Sequence, residues 1–375
     1  MKSMKKWTTL FFVILMVISA VACSTAAAPA ADVENEAAAT AAVAETAAVA
    51  PGSSGKIAVI RNMASSDHTA QFFAGCVSEG EALGFTVDTF MSDGDDVKMQ
   101  DLMENALQKD YDIWVISHAN EGYQYDYVSR AVEKGIAVTC FDCGGDHVPG
   151  VTYTSQDDKS LAKLSLDAML EKAAADGVAE PVKIIEINTL GAIVPFDTRE
   201  TIVKQYVDEG KLEVAYLLSP NLATSDWYSS CYTGVSTTLA QDTNKEIKGI
   251  WTASSAFLDG IMDAVKDAGR DDITVTAIDI SDTEVQRLFN EPQYYCCAAV
   301  DPYVIGVVDV RIAVLKTLGV ETPETFALDA VAVKRDQLAA DDTMATLNKY
   351  FDNFGATEIY NTDEIKALRD TVAGN

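Results

Sequence analysis

Three histidines occur in the 375-residue chain, and two of them, His68 and His118, lie just beyond short β-branched apolar runs. Asp142 and Cys143 follow another such run. Imidazole, carboxylate and thiolate are the common ligands of zinc. Spacing does not support a metal centre, because no His-x₃-His and no paired Cys-x₂-Cys occurs. Cys140-Phe141-Asp142-Cys143 is formally a C-x-x-C, but Gly144-Gly145-Asp146 follows where a redox motif would begin a helix. The chain also has no G-x-S-x-G elbow, no G-x-G-x-x-G and no phosphate loop, the stretch Gly52–Lys56 being too short for one. Neither a metal nor a cofactor is expected, and enzyme chemistry has little to stand on.

Binding chemistry remains. A carboxylate directly after an apolar strand is hard to explain by packing, since an unpaired buried carboxylate is costly. Asp142 is therefore a ligand-binding candidate. Arg199 reads either as a ligand clamp or as a surface residue near a helix N-terminus, and Trp227 either as a stacking platform or as an ordinary core aromatic. Ser254 and Asp279 also follow apolar runs.

These residues are positioned by a repeating pattern. Lys56–Arg61, Phe85–Phe90, Asp112–Ser117 and Ile136–Phe141 read as buried strands, separated by segments with helical periodicity such as Met99, Leu102, Met103, Ala106 and Leu107. After Val151–Tyr153, a helix over Asp158–Ala175 opens a second series with strands at Val182–Ile187, Glu213–Leu218, Gly249–Thr252, Ile273–Ile278 and Cys297–Val300. Alternating strands and helices imply parallel sheets with right-handed crossovers. The fold class is α/β, with two Rossmann-like lobes, and ligands of such sheets sit at the carboxyl ends of the strands.

The N-terminus carries Lys2, Lys5 and Lys6 and then an uncharged stretch from Trp7 to Ala22, the layout of a secretory signal peptide over residues 1–22. Ala20-Val21-Ala22-Cys23-Ser24 resembles a bacterial lipobox, which would make Cys23 the lipidated N-terminus; the alternative is simple A-x-A cleavage. From Ser24 to Ser54, 14 of 31 residues are Ala, with no Lys, Arg or aromatic residue. Such a segment buries too little to offset chain entropy, so residues 23–54 read as a disordered tether. A net charge of -29 argues against nucleic acid as a partner. Six cysteines besides Cys23 are read mostly as small buried apolar residues.

Gly75 with Gly84, Ala131-x-x-x-Gly135-Ile136-Ala137-Val138 and Asp142 resemble the type I periplasmic sugar-binding proteins, of which the ribose- and galactose-binding proteins are best known. The similarity continues through Phe196-Asp197-Thr198-Arg199, Ser225-Asp226-Trp227, Trp251–Gly260, Ile278-Asp279 and Asp301-Pro302-Tyr303 with Gly306, covering Lys56 to about Val333. The resemblance implies two lobes joined by a three-strand hinge, near Val151–Gln156, Val300 and Leu328–Val331. The first lobe would comprise residues 55–155 plus 301–328, and the second 156–300 plus 329–375. It also implies that Asp142 and Asp279 accept from sugar hydroxyls, Arg199 donates to the sugar and Trp227 stacks on its ring. Asp301 also joins the ligand-binding set. Departures occur at His68 and Thr69, where ribose binders have paired Phe, at Ser66, Ser117 and Ser254, where they have Asn, and at Cys143 in place of an Arg. The pocket is therefore not a copy of the ribose site, and the expected ligand is a small polar molecule, first a monosaccharide or related polyol, with a furanone signal or a nucleoside-like molecule as alternatives. The implied role is extracytoplasmic, lipid-anchored capture by a monomer for the permease of an ABC importer. The alternative is a sensor that presents its ligand to a membrane receptor or histidine kinase.

Overall fold

Alternation within the apolar runs decides the layering. In the computed structural model, which describes residues 55–221, 226–355 and 357–374, Ile57 and Val59 join one hydrophobic cluster while Ala58 and Ile60 join another. Ile113 and Val115 divide from Trp114 and Ile116 in the same way. Successive strand residues point to opposite faces, and both faces here are apolar, so helices must cover both. The signal-like segment 1–22, Cys23, the Ala-rich stretch to Ser54 and Ser225 lie outside the described residues.

The first series runs β1 (Lys56–Arg61), α1 (Asp67–Ala82), β2 (Thr86–Met91), α2 (Asp96–Leu107), β3 (Ile113–Ser117), α3 (Gln124–Glu133), β4 (Ala137–Phe141) and β5 (Thr152–Gln156). Then come α4 (Asp158–Ala175), β6 (Val182–Ile187), α5 (Val194–Asp208), β7 (Leu212–Leu218), α6 (Trp227–Gln241) and β8 (Gly249–Thr252). The second series ends with α7 (Leu258–Asp267), β9 (Thr274–Ile278), α8 (Asp282–Asn290) and β10 (Tyr294–Ala299). The chain finishes with α9 (Pro302–Thr317), β11 (Thr325–Leu328), β12 (Val331–Lys334) and α10 (Asp363–Ala373).

Two six-stranded sheets result, with orders β11-β5-β4-β3-β1-β2 and β12-β10-β9-β8-β6-β7. All pairings are parallel except that of β10 with β12. The chain passes between the lobes four times, from β5 into α4, from β10 into α9, from β11 into β12 and once more between β12 and α10. Among the described residues, no helix is long and apolar enough to cross a membrane.

One expectation needs correction, because the C-terminal residues do not all go with the second lobe. Helix α10 packs on the first lobe, where Ile365 joins its core and Arg369 pairs with Glu79 of α1. The reason is electrostatic as well as apolar. Glu79 is buried and also takes Arg311 Nε of α9 at 2.8 Å, so one carboxylate ties three helices together.

Helices α1 and α9 approach so closely that a Cβ at Gly75 would lie 2.0 Å from the Tyr303 carbonyl oxygen, and one at Gly306 would lie 2.3 Å from that of Phe72. Backbone on the far side cannot swing away as a side chain can. Gly306→Ala is expected to lower the unfolding free energy by about 2 kcal/mol, through overpacking of the helix pair. A urea-unfolding midpoint unchanged from the native protein would contradict this.

Candidate ligand site

Register brings the site residues to one level. Arg61 pairs with Ser117 across β1 and β3, and Ser117 with Phe141 across β3 and β4, so the next residues, Asn62, His118 and Asp142, leave the sheet side by side. In the second sheet Thr252 pairs with Ala277, so Ser254 and Asp279 each lie two residues beyond that pair. The amides of His118, Asp142 and Asp279 each extend the ladder by one hydrogen bond, to Phe141, Thr154 and Ala298. The chain then turns sharply. All three residues have left-handed backbone, with φ of 59°, 47° and 73° respectively. Non-glycine residues adopt this region at a cost of order 1–3 kcal/mol, and such positions cluster at functional sites.

In the first lobe the network radiates from Arg61. Its guanidinium donates through Nη1 to Ser117 Oγ at 2.8 Å and through Nε to Thr69 Oγ1 at 3.3 Å, and Nη2 lies 3.1 Å from His68 Nδ1. It stacks over Phe72, 4.6 Å from the ring centre. Ser117 Oγ is 2.8 Å from His118 Nδ1, and His118 Nε2 faces Asp142 Oδ2 at 3.8 Å. Burial lowers the Arg61 pKa to about 10, with Asp142 opposing that fall. Burial, reinforced by Arg61, lowers His68 to about 4 and puts His118 well below its ordinary value. Both imidazoles are therefore neutral at pH 7.

The second lobe supplies Arg199, which is buried within α5 rather than on its surface. Its Nε donates to Asp158 Oδ1 at 2.8 Å, Nη1 donates to the Ala253 carbonyl and Nη2 lies 3.8 Å from Asp279 Oδ1. Burial works against its charge, yet Asp279 and Asp158 raise its pKa overall. Ser254 Oγ donates to Asp279 Oδ2 at 3.3 Å. Trp227 is half-buried at the start of α6, edge-on to Phe257 with ring centres 5.8 Å apart, and its indole N–H has no partner among the described residues. Burial pushes Asp142 well above the usual carboxylate range; Asp158 adds to this, while Arg199 and Arg61 oppose it. The charges of the two lobes thus act on one another across the cleft. At its edge Thr283 Oγ1 donates to Asp67 Oδ2 at 3.3 Å.

Two predicted residues also cap helices. Ser66 is exposed and caps α1, accepting from the Thr69 amide at 3.2 Å. Asp301 caps α9, its two oxygens accepting from the amides of Tyr303 at 2.9 Å and Gly355 at 2.7 Å. Two backbone donors on a carboxylate in a hinge crossing account for Asp301 as a structural residue. Cys143 Sγ faces the carbonyls of Ile116 and Phe141. Among the described residues no three His, Cys, Asp or Glu side chains form a metal-holding group. The groove along α8, lined by Asp282, Thr283, Gln286, Arg287, Asn290 and Glu291, contains none of the predicted ligand residues. Sequence reasoning missed Arg61 and Asp158. Arg61 was detectable, because a charged residue ends an otherwise apolar strand, as with Asp142.

Beneath the site, Asp309 of α9 is fully buried, accepts from Thr154 Oγ1 at 2.6 Å and leaves Oδ2 without a partner. Burial pushes its pKa up to about 7, against the pull of Thr154 and Arg61. An unfolded Asp titrates near ~3.9, so the folded state holds this proton more tightly. That contribution to stability is present below about pH 4 and is lost as pH rises through about 7. His68 and His118 act in the opposite sense, their contribution being lost as pH falls. Asp309→Asn isolates the first effect. The variant is expected to match the native protein at pH 4 and to exceed it by up to about 4 kcal/mol at pH 8. A difference in unfolding free energy that stays constant from pH 4 to 8 would contradict it.

A family model described as a periplasmic binding protein domain matches residues 57–319. No curated protein matches the chain. Among solved structures, the chain is similar to a sugar ABC transporter protein from Yersinia enterocolitica subsp. enterocolitica 8081, with 30% identity and a TM-score of 0.75, over 85% of this chain and 96% of that one. It shares its fold with a 5-methylthioribose transporter solute binding protein from Thermotoga lettingae TMO, at 20% identity and TM-score 0.73, over 84% of this chain and 98% of that one. It also shares its fold with a carbohydrate transporter solute binding protein from Agrobacterium radiobacter, at 16% identity and TM-score 0.67, over 81% of this chain and 100% of that one. With its two lobes, the hinge strands between them and a polar cleft at the strand ends, the chain belongs to the periplasmic binding protein family, as a type I extracytoplasmic solute-binding protein.

Proposed function

We propose that the cleft captures a small, neutral, polyhydroxylated molecule, a monosaccharide or related polyol, and that the closed protein delivers it to the permease of an ABC importer. The observation that carries this reading is the convergence of Asp142 and Arg61 from one lobe with Arg199, Asp158 and Asp279 from the other. Hydroxyls donate to carboxylates and accept from guanidinium and imidazole N–H groups, so one polyol satisfies both kinds. Three carboxylates surround two guanidiniums that already serve protein acceptors, which disfavours a phosphorylated or carboxylated sugar. The described relatives agree with this chemistry. The Thermotoga protein was solved with 5-methylthioribose and the Agrobacterium protein with D-arabinose.

Ligand contacts to both lobes would favour the closed arrangement over an open one, the hinge strands absorbing the motion. Asp142 and Asp279 accept hydroxyls, Arg199 donates, and Trp227 covers the apolar C–H face of the ring. The protein acts as a monomer held at the membrane by lipid on Cys23, with residues 24–54 as spacer. Cys23→Ser is expected to abolish incorporation of labelled fatty acid; labelling that persists would refute the anchor.

A thermal-shift screen should find hits among neutral sugars and polyols and none among their uronate or phosphate forms. Saturation at 100 times Kd stabilises by about 2.7 kcal/mol. Asp142→Asn is expected to weaken binding of a hit roughly 10–100-fold by calorimetry, because an amide NH₂ replaces one of the two oxygens that meet the ligand hydroxyls. Stabilisation by amino acids or metal ions alone would overturn the reading.

A further inference from the structure

We infer that Arg61 is a positioning residue that sets the tautomer of both cleft histidines, so that each keeps its proton on Nε2. Arg61 has only donors, so His68 Nδ1, 3.1 Å from its Nη2, must offer a lone pair and carry no proton. Ser117 Oγ already accepts from Arg61 Nη1 at 2.8 Å. Ser117 is fully buried, and the nearest acceptor for its own hydrogen is His118 Nδ1 at 2.8 Å, which leaves the His118 proton on Nε2 as well. That N–H faces Asp142 Oδ2 at 3.8 Å.

One guanidinium thereby aligns two rings, directly in one case and through a hydroxyl in the other. Its charge also disfavours a second proton on either ring, so both remain donors through one nitrogen. Resting on the polyol reading, this specifies the ligand further. The part of the ligand held by the first lobe presents oxygen acceptors to His68 and His118, and at least one hydroxyl donor to Asp142.

Long-range ¹⁵N–¹H spectra of histidine-labelled protein test this directly, because only three imidazoles contribute. His147, exposed on the surface and stacked on Tyr153, supplies the reference. The native protein at pH 7 is expected to show His68 and His118 as neutral rings protonated on Nε2. In Arg61→Gln both should become tautomer mixtures that protonate at higher pH. Ser117→Ala should affect His118 alone, and Arg61→Lys should restore His68 in part. Native His68 or His118 protonated on Nδ1, or cationic at pH 7, would overturn the assignment, as would unaltered rings in folded Arg61→Gln. Addition of D-allose, D-arabinose or allitol should then shift the two Nε2 resonances. Correct tautomers with no response to any neutral sugar would sink the polyol reading while leaving the Arg61 assignment in place.

Discussion

Two guanidiniums buried at the ends of two parallel sheets must find their counter-charges inside the protein, and the site is organised around that requirement. Arg61 and Arg199 are almost inaccessible to water. A buried charge that lacks partners costs several kcal/mol, so each is surrounded by acceptors. Arg199 meets Asp158, the Ala253 carbonyl and Asp279, whereas Arg61 meets two hydroxyls, one imidazole and an aromatic face. The first set is charged and the second largely neutral. The Arg61 charge is therefore incompletely compensated locally and depends on Asp142, Asp279 and Asp309 at longer range. This is a reason for the two lobes to work as a unit, since Asp279 lies across the cleft.

The same constraint explains the backbone. A parallel strand delivers its last side chain to one face of the sheet, and a residue that must turn toward the cleft needs a sharp change of direction. His118, Asp142 and Asp279 make that change in the left-handed region without glycine. Glycine would adopt this conformation easily but would carry no imidazole or carboxylate. The ladder hydrogen bonds to Phe141, Thr154 and Ala298 hold these residues at the sheet ends despite the strain. Thr154 links this layer to the one below, its carbonyl holding Asp142 and its hydroxyl donating to Asp309.

Most of the fold was legible in the sequence, because buried parallel strands announce themselves as continuous β-branched runs. Lys56–Arg61, Val182–Ile187 and Gly249–Thr252 fall where their composition places them, and the helix over Asp158–Ala175 has the predicted bounds. Edges shift where pairing decides. The strand expected at Cys297–Val300 begins at Tyr294, held by β9, and β2 lies one residue later than expected. The last helix was assigned to the wrong lobe because its amphipathic pattern does not name its partner; Glu79, nearly three hundred positions upstream, does so through Arg369. Within the site, Asp142, Arg199, Ser254 and Asp279 converge as a group. Ser66 and Asp301 show the limit of such reading, since a polar residue opening a helix has the same signature whether it caps the helix or faces a ligand. Asp158 was obscured likewise, beside Asp157, which is the cap of α4.

The central claim is that this cleft selects a neutral polyol using groups from both lobes. Its most direct test is competition. The protein is equilibrated with an equimolar mixture of neutral sugars, polyols, uronates, sugar phosphates and amino acids, passed through a desalting column and denatured, and the released molecules are identified by mass. The account predicts one or a few neutral polyhydroxylated species at close to one per chain, lost in Asp142→Asn. Release of a sugar phosphate, a uronate or an amino acid in their place would contradict it.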